Sequence, residues 1–285
     1  MSKNLKNMMV RACTGAVYVA LLVGCVVSGP VACLLFFASV AAATIWEFSS
    51  LMNQHMGTDI NRPIVAISAV LLNIVFWSRQ WDAGNARTWL VLYSFPLFFL
   101  IISELYRKAE NPLGNWVYSM AAQLYVALPF ALAHVLTAGV SLDYFTLSSY
   151  TWVVLLALFV FLWTNDTGAY LTGSALHNVF PAKLFPRISP NKSWIGSIGG
   201  GLLTVGVSLI FAHFEPAMTT FEWMGMALVV VIIGTWGDLV ESLIKRQLGI
   251  KDSGNVLPGH GGMLDRFDSA LLSIPAVVVY TLLLT

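Results

Sequence analysis

The chain has 285 residues, 58% of them hydrophobic and only 10% charged, with a formal net charge of +1. So few charges exclude a soluble domain of this size and predict an all-α, polytopic membrane protein. No nucleic-acid partner is expected. Cys13, Cys25 and Cys33 all fall in apolar stretches near the N-terminus, where they read as small core residues and not as a disulfide framework or metal site.

In chain order, Lys3, Lys6 and Arg11 precede a first apolar run. No small-residue cleavage site leads from it into a soluble domain, so the run reads as a first transmembrane helix and not as a signal peptide. Nine apolar segments are predicted to span, or nearly span, ~30 Å of hydrocarbon: 12–29, 31–51, 63–78, 88–104, 116–136, 150–172, 195–213, 221–242 and 266–284. Gly29-Pro30 marks a tight turn between the first two. The whole chain, 1–285, reads as one integral-membrane domain, with 1–149 mainly scaffold and 150–285 catalytic. Thirteen of the 15 Lys and Arg residues fall in the N-terminal tail and in the loops after segments two, four, six and eight; Arg79 and Arg87 lie on the other side. That asymmetry predicts a cytoplasmic N-terminus and a C-terminus outside.

Polar chemistry concentrates in three clusters on the basic side. The first is Thr164-Asn165-Asp166-Thr167-Gly168-Ala169-Tyr170. The second runs from Lys183 to Trp194 and carries Arg187, Ser189, Pro190, Asn191, Lys192 and Ser193. The third starts at Gly237-Asp238, passes Glu241, Ser242, Lys245, Arg246, Lys251 and Asp252, turns through Gly259-His260-Gly261-Gly262, and ends at Asp265-Arg266-Phe267-Asp268. Ionisable groups at a membrane border are costly and read as functional. A loop that only set topology would need Lys and Arg, but not these aspartates or a glycine-flanked histidine.

Asp238 and Glu241, and again Asp265 and Asp268, are three apart on helices, so each pair can face one cavity. Two helix ends joined by a Gly/Pro-containing loop would gather up to four carboxylates. Such charges repel unless a cation or a shared proton lies between them. Hard oxygens, completed by waters and substrate phosphates, suit Mg²⁺. Lys192, Lys245, Arg246, Lys251 and Arg266 would neutralise phosphate oxygens. Carboxylates for a metal beside bases for phosphate is what phosphoryl or nucleotidyl transfer requires.

Blander readings stand beside these. Arg246 and Lys251 suit snorkelling or headgroup binding, and Asp252 suits a turn cap. Glu47, in Trp46-Glu47-Phe48, suits either a polar network or a helix-pair hydrogen bond. His134, His177 and His213 read as structural or interfacial. Gly196, Gly199, Gly200 and Gly201 read as close helix packing in preference to an anion-binding helix start. No strand is expected before them, which excludes a dinucleotide fingerprint.

The third cluster resembles the signature of the phosphatidate cytidylyltransferases, or CDP-diacylglycerol synthases. That signature has a serine, Lys-Arg, Lys-Asp, His-Gly-Gly, Asp-Arg and a final Asp; here these are Ser242, Lys245-Arg246, Lys251-Asp252, His260-Gly261-Gly262, Asp265-Arg266 and Asp268. Asn165-Asp166 through Ala169-Tyr170, and Ser189-Pro190 through Lys192, look like the family's upstream motifs. Trp46-Glu47 carries the resemblance into the first half. Ile195 departs from it, since many relatives have Glu there, and the Ser174 to Pro181 stretch is longer than usual.

The resemblance implies that CTP and phosphatidic acid give CDP-diacylglycerol and pyrophosphate. It also implies a nine-helix homodimer at the lipid bilayer and a Mg²⁺-dependent site able to hold a second cation. By position, it implies Asp238 and Asp265 as metal ligands. Asp238, Asp265, Asp268, Lys245 and Arg266 would be catalytic. Asn165, Asp166, Ser189, Lys192, Ser242, Arg246, Lys251, Asp252 and His260 would bind substrate. A short, tail-less chain points to a bacterial inner membrane. A secondary transporter would instead place its carboxylates near the bilayer midplane in two related halves. A CTP-dependent lipid-alcohol kinase would transfer the γ-phosphate and would not need the complete third cluster.

Overall fold

The computed structural model describes residues 3–80, 83–138, 150–254 and 261–284. The elements run α1 (Lys3–Ser28), α2 (Pro30–His55), α3 (Arg62–Arg79), α4 (Ala83–Ser103), α5 (Pro112–Ala122), a π-helical turn (Gln123–Ala127), α6 (Leu128–Leu132) and α7 (Val153–Leu176). A small antiparallel hairpin follows, β1 (Lys183–Phe185) and β2 (Ser189–Ser193). The chain then ends in α8 (Trp194–Phe214), α9 (Thr220–Gln247) and α10 (Leu264–Leu283). Among the described residues eight helical stretches are long and apolar enough to cross a bilayer, and α1 adds a shorter apolar stretch, Cys13–Ser28. The protein is thus an all-α, multi-pass membrane protein.

Several helices outrun their apolar windows. α9 continues to Gln247 through Glu241, Lys245 and Arg246, because those side chains find partners inside the protein and the helix need not end where its hydropathy does. The hairpin corrects one expectation: a strand does precede the glycine-rich start of α8. Three- and five-residue strands containing a proline leave no readable alternation. The hairpin is antiparallel, so it still makes no dinucleotide-binding unit. The π turn has a covalent cause. Pro129 has no N–H for the carbonyl four residues back, and the helix absorbs this by bonding Leu128 N–H to the Gln123 carbonyl.

An aromatic cluster ties the layers together. Phe130 of α6 and Phe159 of α7 meet Phe267 of α10 edge-on, at 5.1 Å and 6.4 Å, and Phe37 of α2 packs behind both of them. Tyr18 of α1 meets Phe267 from another side at 5.5 Å. Phe267 lies between Arg266 and Asp268, so this core fixes how the start of α10 presents its charges. Cys33 is buried as expected, while Cys13 is exposed.

Lipid offers helices little hydrophobic reason to associate, so close backbone packing must hold them. α7 and α8 achieve it with glycine. A Cβ on Gly200 would sit 2.5 Å from the Asn165 carbonyl oxygen, one on Gly196 2.9 Å from the Ala169 carbonyl oxygen, and one on Gly199 2.4 Å from Thr172. The packing reading of these glycines therefore holds. α9 and α10 repeat the device at Gly237, whose Cβ would meet the Asp268 carbonyl oxygen at 2.8 Å.

Candidate active site

α7, the start of α8, α9 and the hairpin line a cavity of about 580 Å³. α7 lines one wall with Asn165, Asp166, Ala169, Tyr170 and Gly173, which recur at helical spacing on one face. The hairpin and the start of α8 add Lys183, Asn191, Lys192, Ser193, Gly196 and Ser197; α9 adds Thr235 and Asp238. Ser193 caps α8 by accepting from Gly196 N–H at 3.2 Å, which fixes the strand-to-helix turn next to Lys192.

Lys192 reaches across the cavity. Its Nζ lies 2.5 Å from Asp238 Oδ2 and donates to the Thr235 carbonyl at 3.5 Å. Ser242, one turn along α9, donates its hydroxyl to Asp238 Oδ1 at 3.2 Å. Asp268 lies within electrostatic range of both Asp238 and Asp166, and Arg266 within range of Asp166.

A second polar cluster lies at the cytoplasm-predicted ends of α9 and α10. Lys245 Nζ lies 2.6 Å from Glu241 Oε2 and 2.7 Å from Asp265 Oδ1. The other oxygen of Asp265 accepts from Ser253 N–H at 2.9 Å and Gly262 N–H at 2.8 Å. Gly261 sits at φ +81°, where a Cβ would strike Asp265 Oδ2 at 2.5 Å, so the turn into α10 needs glycine there.

The candidates thus divide. Asn165, Asp166, Lys192 and Asp238 line the cavity, and Ser242 and Asp268 adjoin it. Lys245 and Asp265 form the second cluster with Glu241, which turns away from the cavity although Asp238 is three residues before it. Positions three apart on a helix differ by about 60° in direction, and the buried Glu241 is drawn to Lys245 at i+4. Arg246 ties the hairpin to the loop after α9, donating to the carbonyls of Ile188 and Ile250. Ser189 opens β2, half-buried, and Lys251 and Asp252 are exposed. His260 lies outside the described residues.

Sequence reasoning missed His177, Ser197 and Thr235 in the cavity lining and set His177 aside as structural or interfacial. The signal for His177 was the extended Ser174 to Pro181 stretch, which brings it to the cavity edge.

The chain matches the Cytidylyltransferase family over residues 9–284. It belongs to that family. Among its relatives, the phosphatidate cytidylyltransferase of Haemophilus influenzae is 35% identical over 275 residues, covering 85% of this chain and 86% of the relative. That of Staphylococcus epidermidis is 32% identical over 271 residues, covering 94% and 96%. That of Staphylococcus aureus strain COL is 32% identical over 246 residues, covering 85% and 87%. The family match spans α1 through α10, including the cavity and the loop between α9 and α10.

Among the described residues no three His, Cys, Asp or Glu side chains gather as a metal cluster, but Asp238 and Asp265 each keep oxygen capacity. Asp238 uses two acceptor positions, for Lys192 and Ser242, and Asp265 uses three, for Lys245 and two backbone N–H groups. A carboxylate offers about four, so each has capacity left for a metal-type ligand. The positions left are carboxylate oxygens, the atom type a hard divalent cation prefers.

Proposed function

We propose that this chain transfers the CMP unit of CTP to phosphatidic acid, leaving CDP-diacylglycerol in the bilayer and releasing pyrophosphate. The observation that carries the reading is the Lys192–Asp238 pair in a cavity that polar side chains line, in a membrane protein of this family.

In this reaction a phosphate oxygen of phosphatidic acid attacks the α-phosphorus of CTP in line. The bond from that phosphorus to the bridging oxygen breaks, and pyrophosphate leaves with its electron pair. The nucleophile is anionic near neutral pH, so no strong general base is required. The principal barrier is bringing two polyanions together. Lys183 and Lys192 supply positive charge along the cavity wall, and Asn191, Ser193 and Ser197 offer hydrogen bonds for orientation. Asp238 and Asp265 would hold Mg²⁺, which would screen the phosphate oxygens and polarise the α-phosphoryl group. Asp166 and Asp268 are the carboxylates left for a second cation. Ser189, Ser242, Arg246, Lys251, Asp252 and His260 complete the substrate contacts, with Lys245 and Arg266 steadying the charges of the transfer.

The positive-residue asymmetry supports an inner-membrane protein with its N-terminus and site in the cytoplasm and its C-terminus outside. Phosphatidic acid then enters sideways from the inner leaflet and CTP from the cytosol. A homodimer is the proposed assembly.

The test uses detergent-purified protein, Mg²⁺, and CTP labelled at either the α or the γ phosphate. Lipid-soluble label from the α position that depends on phosphatidic acid supports the proposal. Label from the γ position, requiring a lipid alcohol, would make the protein a kinase. Folded protein that labels no lipid at all would overturn both.

A further inference from the structure

α10 carries Asp265, Arg266 and Asp268 in its first turn and a half, yet it begins without a cap of its own. Its N-cap residue, Met263, makes no side-chain capping bond. A helix start leaves backbone N–H groups without helical partners, and burying them unsatisfied is costly. Here the acceptor comes from α2. Glu47, buried in the second span, accepts from Met263 N–H at 2.9 Å through Oε2 and from Leu264 N–H at 3.1 Å through Oε1. Its Oε1 also accepts from the Ser253 hydroxyl at 2.5 Å.

Ser253 is consequently held by two carboxylates, its N–H by Asp265 and its hydroxyl by Glu47. The backbone is shaped to admit the Glu47 head. A Cβ at Gly262 would lie 2.1 Å from Glu47 Oε1, and one at Gly254 would lie 2.7 Å from Oε2. A negative charge is also well placed against the positive end of the α10 dipole.

We infer that Glu47 is a positioning residue for the transfer reaction: it ties Ser253, within the α9–α10 loop, to Met263 and Leu264 and sets the start of α10, so that Asp265, Arg266 and Asp268 address the substrates together. The inference rests on the proposed cytidylyl transfer for its kinetic consequence, but not for the clasp. Glu47 touches no substrate in this account. It acts through the backbone of Met263 and Leu264 and through Ser253. The segment taken as scaffold thus contributes a group on which the active-site geometry depends.

The experiment compares the wild type with Glu47→Ala, Glu47→Gln, Ser253→Ala and Gly262→Ala, each as purified, folded full-length protein. Two readouts are taken: kcat and KM for CTP and phosphatidic acid, and amide hydrogen exchange. A small misplacement of reacting groups costs on the order of 100-fold in rate. Glu47→Ala and Gly262→Ala are expected to lose about that much in kcat, with KM for both substrates nearly unchanged. Glu47→Gln, which keeps one acceptor oxygen in the same shape, and Ser253→Ala, which removes one bond, should lose less. Exchange at Met263 and Leu264 should rise in Glu47→Ala while the α7–α8 amides stay protected.

A folded Glu47→Ala protein with wild-type kcat would overturn the inference, as would unchanged exchange at Met263 and Leu264. If Glu47→Ala does not fold, wild-type kcat in both Glu47→Gln and Ser253→Ala overturns it equally. A wild type that labels no lipid would defeat the proposed function instead, and the exchange readout would still decide the clasp.

Discussion

Lys192 and Asp238 pair at 2.5 Å across the cavity, joining the hairpin to α9. Both were legible as chemistry-bearing residues, since charges at a membrane border have few bland explanations. That Lys192 from a hairpin would cross to Asp238 in α9, 46 positions on, was not legible, because no local rule links a short strand to a distant helix. The same holds for Glu47 and its partners beyond position 250. Removing an electrostatic group that acts on developing charge typically costs 10²–10³ in kcat. Asp238→Asn should therefore lose roughly 100-fold or more in kcat at near-wild-type folded yield. Asp265→Asn should also abolish turnover. It keeps a carbonyl acceptor for one of its loop contacts, so folded protein should persist, which size-exclusion profile and thermal unfolding would check. Wild-type turnover in folded Asp265→Asn would remove it from the metal site.

Among elements, the long apolar helices were readable because each must satisfy its backbone internally and present apolar side chains to lipid. Their ends were less readable: α9 runs five residues past the apolar window that ends at 242, because Lys245 and Arg246 are held by protein partners. Glycine use was readable in kind, and the structure adds which glycine matters. On α8, Gly200 faces the Asn165 carbonyl at 2.5 Å from a built Cβ, whereas Gly206 has nothing within 4 Å. Gly200→Ala should destabilise by about 1–3 kcal/mol through overpacking and open the α7–α8 wall of the cavity. Gly206→Ala, in an open helical position, should stabilise by about 0.5–1 kcal/mol. Thermal unfolding in detergent of the two variants side by side reads the difference in sign. At the other end of α9, Thr219 and Glu222 form a reciprocal capping box. Thr219→Ala should cost about 1 kcal/mol without changing KM, since that end is remote from the cavity.

At the scale of the whole molecule, the polytopic architecture and the family were both accessible from the sequence, the first from composition and the second from the spaced residues between Ser242 and Asp268. Less accessible was the way the two stretches of chain depend on one another. α2 caps α10 through Glu47, and α1, α6 and α7 pack on Phe267. Such contacts join residues more than 100 positions apart and leave no periodic trace. The proposed orientation places Lys251 in the cytoplasm and Arg79 outside. In a cysteine-free background, Arg79→Cys should react in intact cells with a membrane-impermeant thiol reagent and Lys251→Cys only after permeabilisation; the reverse pattern would invert the topology. Chelation of divalent cations should abolish turnover, and added Mg²⁺ should restore it without refolding.

The most direct measurement of the central claim, that the Lys192–Asp238 cavity is where CTP and phosphatidic acid react, is the rate of α-labelled CTP incorporation into lipid by folded wild type and folded Asp238→Asn. Phosphatidic-acid-dependent labelling is expected from the wild type, with a loss of roughly 100-fold or more in the variant. Equal rates in the two proteins would contradict it.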